Sequence, residues 1–403
     1  MWLSFVMAAS PVFQVLLFTD DETFLRTCKK TLQDMIPPIK IKHCHYGTFP
    51  KLKKEPIILI YDESTAAKGI EELVQLKNKF PDIGILVYFR ENTDFLISLI
   101  NQPVTFRCIS FPVKSSTLQT ELKKLLLSYE RKKKKKSRIL EEENKELGLA
   151  REIQKSLLPN TSPNWKDLDI EFYSEPARNV GGDLFTYYGN RNDRALISKH
   201  IIAVGDVSGK GISAALLMAT CLSRIDMAMR LQIKLTEKMQ YLDSILTPYM
   251  KPQKQNCALC LMEFSGINTG QAIVRIVNAA CIPPFLIKKD GSLTWIRAKG
   301  FALGQGIGTQ FGYKEHKLSL EDGDTFVLVS DGVIEANNEA SELLGFERFE
   351  TILKSVSTNK SKKILEYIHK SIRQFSGKAE VHDDLTIAVI RYNKILGRKH
   401  DRK

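Results

Sequence analysis

Four aspartates stand in short, mostly glycine-bearing motifs: Asp183 in Val180-Gly-Gly-Asp, Asp206 in Gly205-Asp-Val-Ser-Gly-Lys-Gly, Asp331 in Ser330-Asp-Gly, and Asp383 in Asp383-Asp-Leu-Thr. Three of them follow or adjoin apolar, strand-like runs, so the set is expected to project from strand ends, where carboxylates from distant parts of a chain can converge. Gathered carboxylates repel one another unless a cation sits among them. Hard divalent ions such as Mg²⁺ or Mn²⁺ take oxygen ligands and supply that charge. A site of this kind suits metal-assisted phosphoryl chemistry. Gly181, Gly182 and Gly332 leave room for backbone approaches that a side chain would block. The Gly205–Gly211 run lacks the spacing and the terminal Lys-Ser/Thr of a phosphate-binding P-loop.

The elements that must position these residues fall into different patterns along the chain. At 403 residues it exceeds one ordinary core, and two domains with a connector are expected. Over residues 10–128, strand-like runs at 12–18, 57–61, 83–89 and 107–111 alternate with helical spacing at 22–35 and 69–80. That alternation implies an α/β domain with a parallel sheet. Residues 118–158 read as one helical linker, free of proline before Pro159 and rich in Lys, Glu and Leu. An interrupted heptad seam through Leu118, Leu122, Leu125, Tyr129, Leu140, Leu147, Ile153 and Leu157 could pair two protomers as a homodimer. Beyond it, strands at 170–174, 184–188, 201–205, 258–264, 272–278, 285–288, 325–330 and 385–391 are grouped apart from helices at 212–231, 235–250, 346–355 and 360–374. This grouping argues for an α+β sandwich.

The net charge of +13 is unevenly spread. Residues 1–130 hold 16 basic against 14 acidic residues, residues 131–150 hold 8 against 4, and the tail 394–403 holds 5 against 1. The excess thus lies largely in the linker and tail, which speaks against a nucleic-acid partner. Seven cysteines form no framework, consistent with a reducing cytoplasm. Cys257 and Cys260 lie three apart in a strand-like run, on opposite faces, a poor geometry for joint metal ligation. The apolar stretch from Trp2 to Phe18 has polar interruptions and no basic start, so neither a signal peptide nor a membrane anchor is expected.

Residues 10–128 resemble a response-regulator receiver, a flavodoxin-like fold. Asp20 and Asp21 fall at that family's magnesium positions and Asp62 at its phosphoacceptor position. Phe89 stands where receivers carry Thr or Ser, and Phe111 where they carry Lys before Pro112. The resemblance therefore implies a degenerate module that binds an upstream signalling protein, with phosphorylation of Asp62 as the alternative; a flavodoxin-like domain with chance acids is the other.

Residues 150–393 resemble the metal-dependent protein phosphatase (PPM) family in its bacterial SpoIIE/RsbU-type branch. Besides the four aspartate motifs, the match takes in Ala150-Arg-Glu-Ile-Gln-Lys-Ser-Leu-Leu-Pro159, Asn278-Ala-Ala and Gly323-Asp324, all in order. The resemblance implies two Mn²⁺ or Mg²⁺ ions, Asp206 bridging both with the Val207 carbonyl as a further ligand. Asp331 and Asp383 would complete one ion and Asp183 would serve the other, activating a water for in-line attack on phosphorus. Lys210 would meet the substrate phosphate or stand exposed. The implied substrate is a phosphorylated anti-sigma-factor antagonist. Two positions depart from the common pattern, Thr186 for an acid and Cys281 for a histidine, so a non-catalytic scaffold is the second reading.

Overall fold

The computed structural model describes residues 13–35, 39–44, 58–62, 69–90, 93–102, 104, 106–110, 112, 114–189, 199–267 and 272–394. The start of the chain through Val12, Phe111 and the basic tail from Ile395 on therefore lie outside the described residues. The chain divides into two compact units, Met1–Glu143 and Asn144–Lys403.

The first unit runs β1 (Phe13–Phe18), α1 (Glu22–Met35), β2 (Ile39–Cys44), β3 (Ile58–Asp62), α2 (Gly69–Lys79), β4 (Gly84–Phe89), α3 (Thr93–Ile100) and β5 (Arg107–Ser110). All the pairings are parallel, in the order β2-β1-β3-β4-β5. Strands of this sheet are near-continuous apolar runs, as in Ile58-Leu-Ile-Tyr, because helices cover both faces. The next helix, α4 (Ser115–Leu157), is one uninterrupted rod. Its first turns bury Leu118, Leu122 and Leu125 in the core of the first unit. Those three positions are thus taken up within the chain, which corrects the expectation that they begin a seam between protomers.

The second unit is a sandwich. Strands β6 (Leu168–Glu175), β7 (Leu184–Gly189), β8 (His200–Val207), β9 (Cys257–Ser265), β10 (Ile273–Ala279), β11 (Phe285–Ile287), β12 (Leu293–Trp295), β13 (Glu315–Ser319), β14 (Thr325–Val329) and β15 (Leu385–Tyr392) form two antiparallel sheets, ordered β13-β10-β9-β8-β7 and β12-β11-β14-β15-β6. One core joins the sheets through Phe185, Val204, Met262 and Phe264 from the first and Phe326, Leu328, Ala388 and Ile390 from the second. Two further cores lie on the outer faces. Helices α5 (Ile212–Arg230) and α6 (Leu235–Met250) cover the first sheet. After the short α7 (Ile307–Phe311) and α8 (Asp331–Ile334), helices α9 (Gly345–Lys354) and α10 (Ser361–Ser376) cover the second. Cys257 and Cys260 enter different cores from opposite faces of β9, as strand alternation requires. Helix α5 is long and apolar enough to cross a bilayer by length and composition, yet Met218, Cys221, Ile225 and Met229 are buried against the sheet.

Candidate active site

Antiparallel pairing explains why aspartates from four distant motifs meet. In β7 and β8, Leu184 lies opposite Gly205, so the residue entering β7 stands beside the residue leaving β8. These are Asp183 and Asp206. In β14 and β15, Val329 lies opposite Ile387, and Ser330 N–H donates to the Thr386 carbonyl at 3.0 Å. That register sets Asp331, which opens α8 instead of ending a strand, beside Asp383 and Asp384. Two strand exits and two strand entries thus share one end of the sandwich.

The approach is close enough to exclude side chains. A Cβ on Gly182 would strike the Val207 carbonyl, one on Gly181 the Asp384 carboxylate, and one on Gly332 the Asp384 carbonyl. Asp384 organises the loop: its Oδ1 accepts from Ala177 N–H at 2.7 Å and its Oδ2 from Gly182 N–H. Its carboxylate is taken up by these backbone donors, and through Gly182 it positions Asp183. Gln154, near the end of α4, holds the same loop from outside, donating to the Gly181 carbonyl at 2.7 Å and accepting from Gly181 N–H at 3.1 Å.

Asp183 is 5% exposed, and neither carboxylate oxygen has a hydrogen-bond partner. Ser330 and Thr386 stand near, but their hydroxyls donate to the Asp384 carbonyl and to Ser174 Oγ. Burial, then the Asp206 charge, drives the Asp183 carboxyl well above its usual range. Burial also pushes Asp206 up to about 7, with Asp331 and Asp383 adding to the shift. Asp331 is raised by burial and by Asp383. A buried, all-oxygen acidic pocket that favours protons is one that a divalent cation would relieve. The donor set therefore fits hard divalent ions. Among the described residues, no three Asp, Glu, His or Cys side chains converge closely enough to grip an ion without adjustment.

Lys210, expected at the substrate phosphate, contacts Asp383 Oδ2 at 2.9 Å and donates to the His382 carbonyl at 2.7 Å. Its nearest anion is one of the aspartates, so its charge serves the cluster, and the contact raises its pKa. Arg178 is a second cation near the Gly209–Gly211 turn, its Nη1 4.0 Å from where a Cβ of Gly211 would lie. Sequence reasoning missed Arg178, although it lies five residues before Asp183.

The departure at Asn278-Ala-Ala-Cys281 has a visible cost. The Asn278 side chain closes a tight turn, accepting from Cys281 N–H at 2.8 Å and donating to the Cys281 carbonyl at 3.0 Å. The turn forces Ala280 to φ 63°, a left-handed conformation that favours glycine. Ala280→Gly is expected to raise the stability of the chain by about 1 kcal/mol, read as a higher melting midpoint in urea with an unchanged slope.

In the first unit, Asp62 is fully buried and accepts from Thr19 Oγ1 at 2.6 Å. Asp21 caps α1 through Phe24 N–H at 3.0 Å and is ion-paired with Arg90. Asp20 is exposed, Asp21 is engaged by the protein's own groups, and Asp62, the alternative phosphoacceptor, faces no solvent.

Comparison with known proteins agrees with this geometry. The family described as Stage II sporulation protein E (SpoIIE) matches residues 198–393. The chain is 30% identical over 257 residues to the phosphoserine phosphatase RsbU of Bacillus subtilis, spanning 63% of this chain and 72% of that protein. It is 25% identical over 272 residues to Protein IcfG of Synechocystis, spanning 61% of this chain and 41% of that protein. The SiaA-PP2C domain of Pseudomonas aeruginosa shares the fold, with a TM-score of 0.55 at 20% identity, covering 63% of this chain and 99% of that domain. Four aspartates converging from paired strands of a PP2C-like sandwich, and the extent of likeness to RsbU, place the chain in the SpoIIE/RsbU-type branch of the metal-dependent protein serine/threonine phosphatases.

Proposed function

We propose that this phosphatase is a cytoplasmic regulator that removes phosphate from a serine or threonine of an anti-sigma-factor antagonist, using two Mn²⁺ or Mg²⁺ ions. The observation that carries the metal site is Asp183, a buried carboxylate with both oxygens unpartnered beside Asp206 and Asp384. Asp183, Asp206, Asp331 and Asp383 would hold the ions, with the Val207 carbonyl as a further ligand. When bound, the ions would lower the pKa of a water and neutralise charge on the phosphoryl oxygens. The chain's own part is positioning. Asp384 and Gln154 fix the Gly181-Gly182-Asp183 loop, the Gly332 approach fixes Asp331 against Asp383, and Arg178 offers a guanidinium to phosphate near the Gly209–Gly211 turn.

The antagonist as substrate, and partner switching as the setting, rest on the resemblance to the RsbU branch. The test is dephosphorylation of purified phospho-antagonist proteins from the same organism in the presence of Mn²⁺. Turnover of at least one, with a kcat/KM well above that for p-nitrophenyl phosphate, is the expected result. Hydrolysis of the small ester alone would contradict it.

The first unit is read as a receiver-like module that passes an upstream protein signal through α4. Its parallel β2-β1-β3-β4-β5 order supports the fold, and the buried Asp62 favours protein binding over phosphorylation as its input. Leu149, Ile153 and Leu157, spaced four apart and exposed on the last turns of α4, suit a homodimer through that helix. Gln154 lies between two of them and grips the metal-facing loop, so rotation of α4 would move Gly181. Gln154→Ala is expected to weaken Mn²⁺ activation about tenfold with the helical circular dichroism unchanged. An unaltered Mn²⁺ dependence would remove this route of control.

A further inference from the structure

An aromatic patch lies on the end of the sandwich that carries the acidic cluster. Phe301 is 46% exposed, Ile307 40% and Phe311 68%, and the two rings stand 6.0 Å apart. Exposed phenylalanines in contact are costly in a free protein, and this pair is held out by a rigid mount. Asp243, fully buried in α6, accepts from Gly304 N–H at 2.8 Å, Gly306 N–H at 3.2 Å, Thr309 N–H at 2.7 Å and Thr309 Oγ1 at 2.8 Å. A single carboxylate with four donors thus sets the loop that displays the patch.

The same loop is tied to the catalytic turn. Leu303 and Cys257 exchange both backbone hydrogen bonds, at 3.0 and 2.8 Å, and Cys257 lies opposite Val207. Adjacent strands are about 4.8 Å apart, so Leu303 stands roughly 10 Å from Val207 and Phe301 two residues further on. Gln305 donates to the Gln255 carbonyl at 2.7 Å, and Gln255 donates to the Ser208 carbonyl at 3.0 Å, beside Gly209 and Lys210. A stable protein contact covers about 800 Å² on each partner, a disc roughly 30 Å across. A phosphoprotein whose phosphoserine reaches Asp206 would therefore cover this patch.

We infer that Phe301, Ile307 and Phe311 form the docking surface for the body of the phosphoprotein substrate, anchoring it while the phosphate enters the acidic cluster. This rests on the protein phosphatase reading and not on the identity of the antagonist. Contacts of this kind belong to the whole phosphoprotein, so they lower KM for it and leave a small phosphate ester indifferent.

The test compares wild type, Phe311→Ser and the Phe301→Ser/Phe311→Ser pair, each with Mn²⁺, on p-nitrophenyl phosphate, phosphorylated β-casein and a phospho-antagonist. Expected is a fall in kcat/KM of about tenfold or more on the phosphoproteins, carried by KM, with ester kinetics within twofold and the melting temperature unchanged. Phe311→Leu should restore most of the loss. Equal losses on ester and phosphoprotein, or no loss on either, would overturn the proposal. So would a change of oligomeric state with phosphoprotein kinetics intact, which would assign the patch to a second copy. Wild-type turnover of casein but of no antagonist would sink the antagonist reading alone, while turnover of no phosphoprotein would sink the docking proposal with it.

Discussion

Asp206→Asn is expected to lower Mn²⁺-dependent hydrolysis of p-nitrophenyl phosphate by about three orders of magnitude or more, with the fold intact by circular dichroism. Asp206 is next to last in β8, in register with Ala258 of β9, and the next residue, Val207, donates its N–H to the Gly182 carbonyl at 3.2 Å on the other side. Asparagine keeps that position and volume. It removes the negative charge that would hold two cations together, and it places an amide donor where oxygen ligands are needed. Each tenfold loss corresponds to about 1.4 kcal/mol of barrier, so three orders require about 4 kcal/mol, within what a lost charge in a water-poor pocket supplies. Retention of near-wild-type rate would mean that the acidic cluster does not carry the chemistry.

The same substitution should act in the opposite direction on stability when no divalent ion is present. At pH 8, Asp206→Asn is expected to be more stable than wild type by about 2–4 kcal/mol. In the folded chain the Asp206 carboxyl is pushed from 3.8 to about 7, chiefly by burial and then by Asp331 and Asp383. A folded-state pKa above the unfolded one means that the native state binds the proton more tightly. The associated stability is full below about pH 4 and is lost as pH rises through 7. Every tenfold tighter hold on that proton corresponds to about 1.4 kcal/mol, an upper bound for a site that relaxes and admits water. Denaturant titrations with a chelator should therefore show the two proteins converging towards pH 4 and separating above pH 7. Saturating Mn²⁺ should reverse their order, because only wild type gains binding energy from the ions. Equal stability of the two at pH 8 would show that the aspartate is not held in an uncompensated acidic pocket.

The two effects have one cause. Buried carboxylates that repel one another are strained, and the fold offsets that strain through three cores and a network of backbone donors. Asp384 is the clearest case: its carboxylate is consumed by Ala177 and Gly182, more than 200 residues away, so that Asp183 can remain unpartnered.

Much of this was legible in the sequence, and the misses have physical reasons. The α+β grouping and the helix over 118–158 were legible because long apolar periodicities and an unbroken run of helix formers are local signals. Strand β2, Ile39-Lys-Ile-Lys-His-Cys, was passed over, since alternating lysines on a short edge strand look like loop. Strand β13, Glu315-His-Lys-Leu-Ser, is equally polar because it too lies at an edge. Three of the four converging aspartates stand out through neighbouring glycines, whose absent side chains are conspicuous in a motif, while Asp383 was read from the order of the motifs. Their supports do not stand out: Gln154 acts on Gly181 across 27 residues and Asp243 on Gly304 across 61, through contacts that no spacing announces. Lys210 and Asp62 were read from position alone. What each does depends on a neighbour brought by the fold, Asp383 for one and Thr19 for the other.

Titration of the chain with Mn²⁺ followed by electron paramagnetic resonance tests the metal-centre reading most directly. Two ions are expected to bind and to show an exchange-coupled signal distinct from the six lines of free Mn²⁺, and Asp206→Asn is expected to abolish the coupling. A wild-type chain that leaves the free-ion spectrum unchanged at millimolar Mn²⁺, or binds only isolated ions, would contradict it.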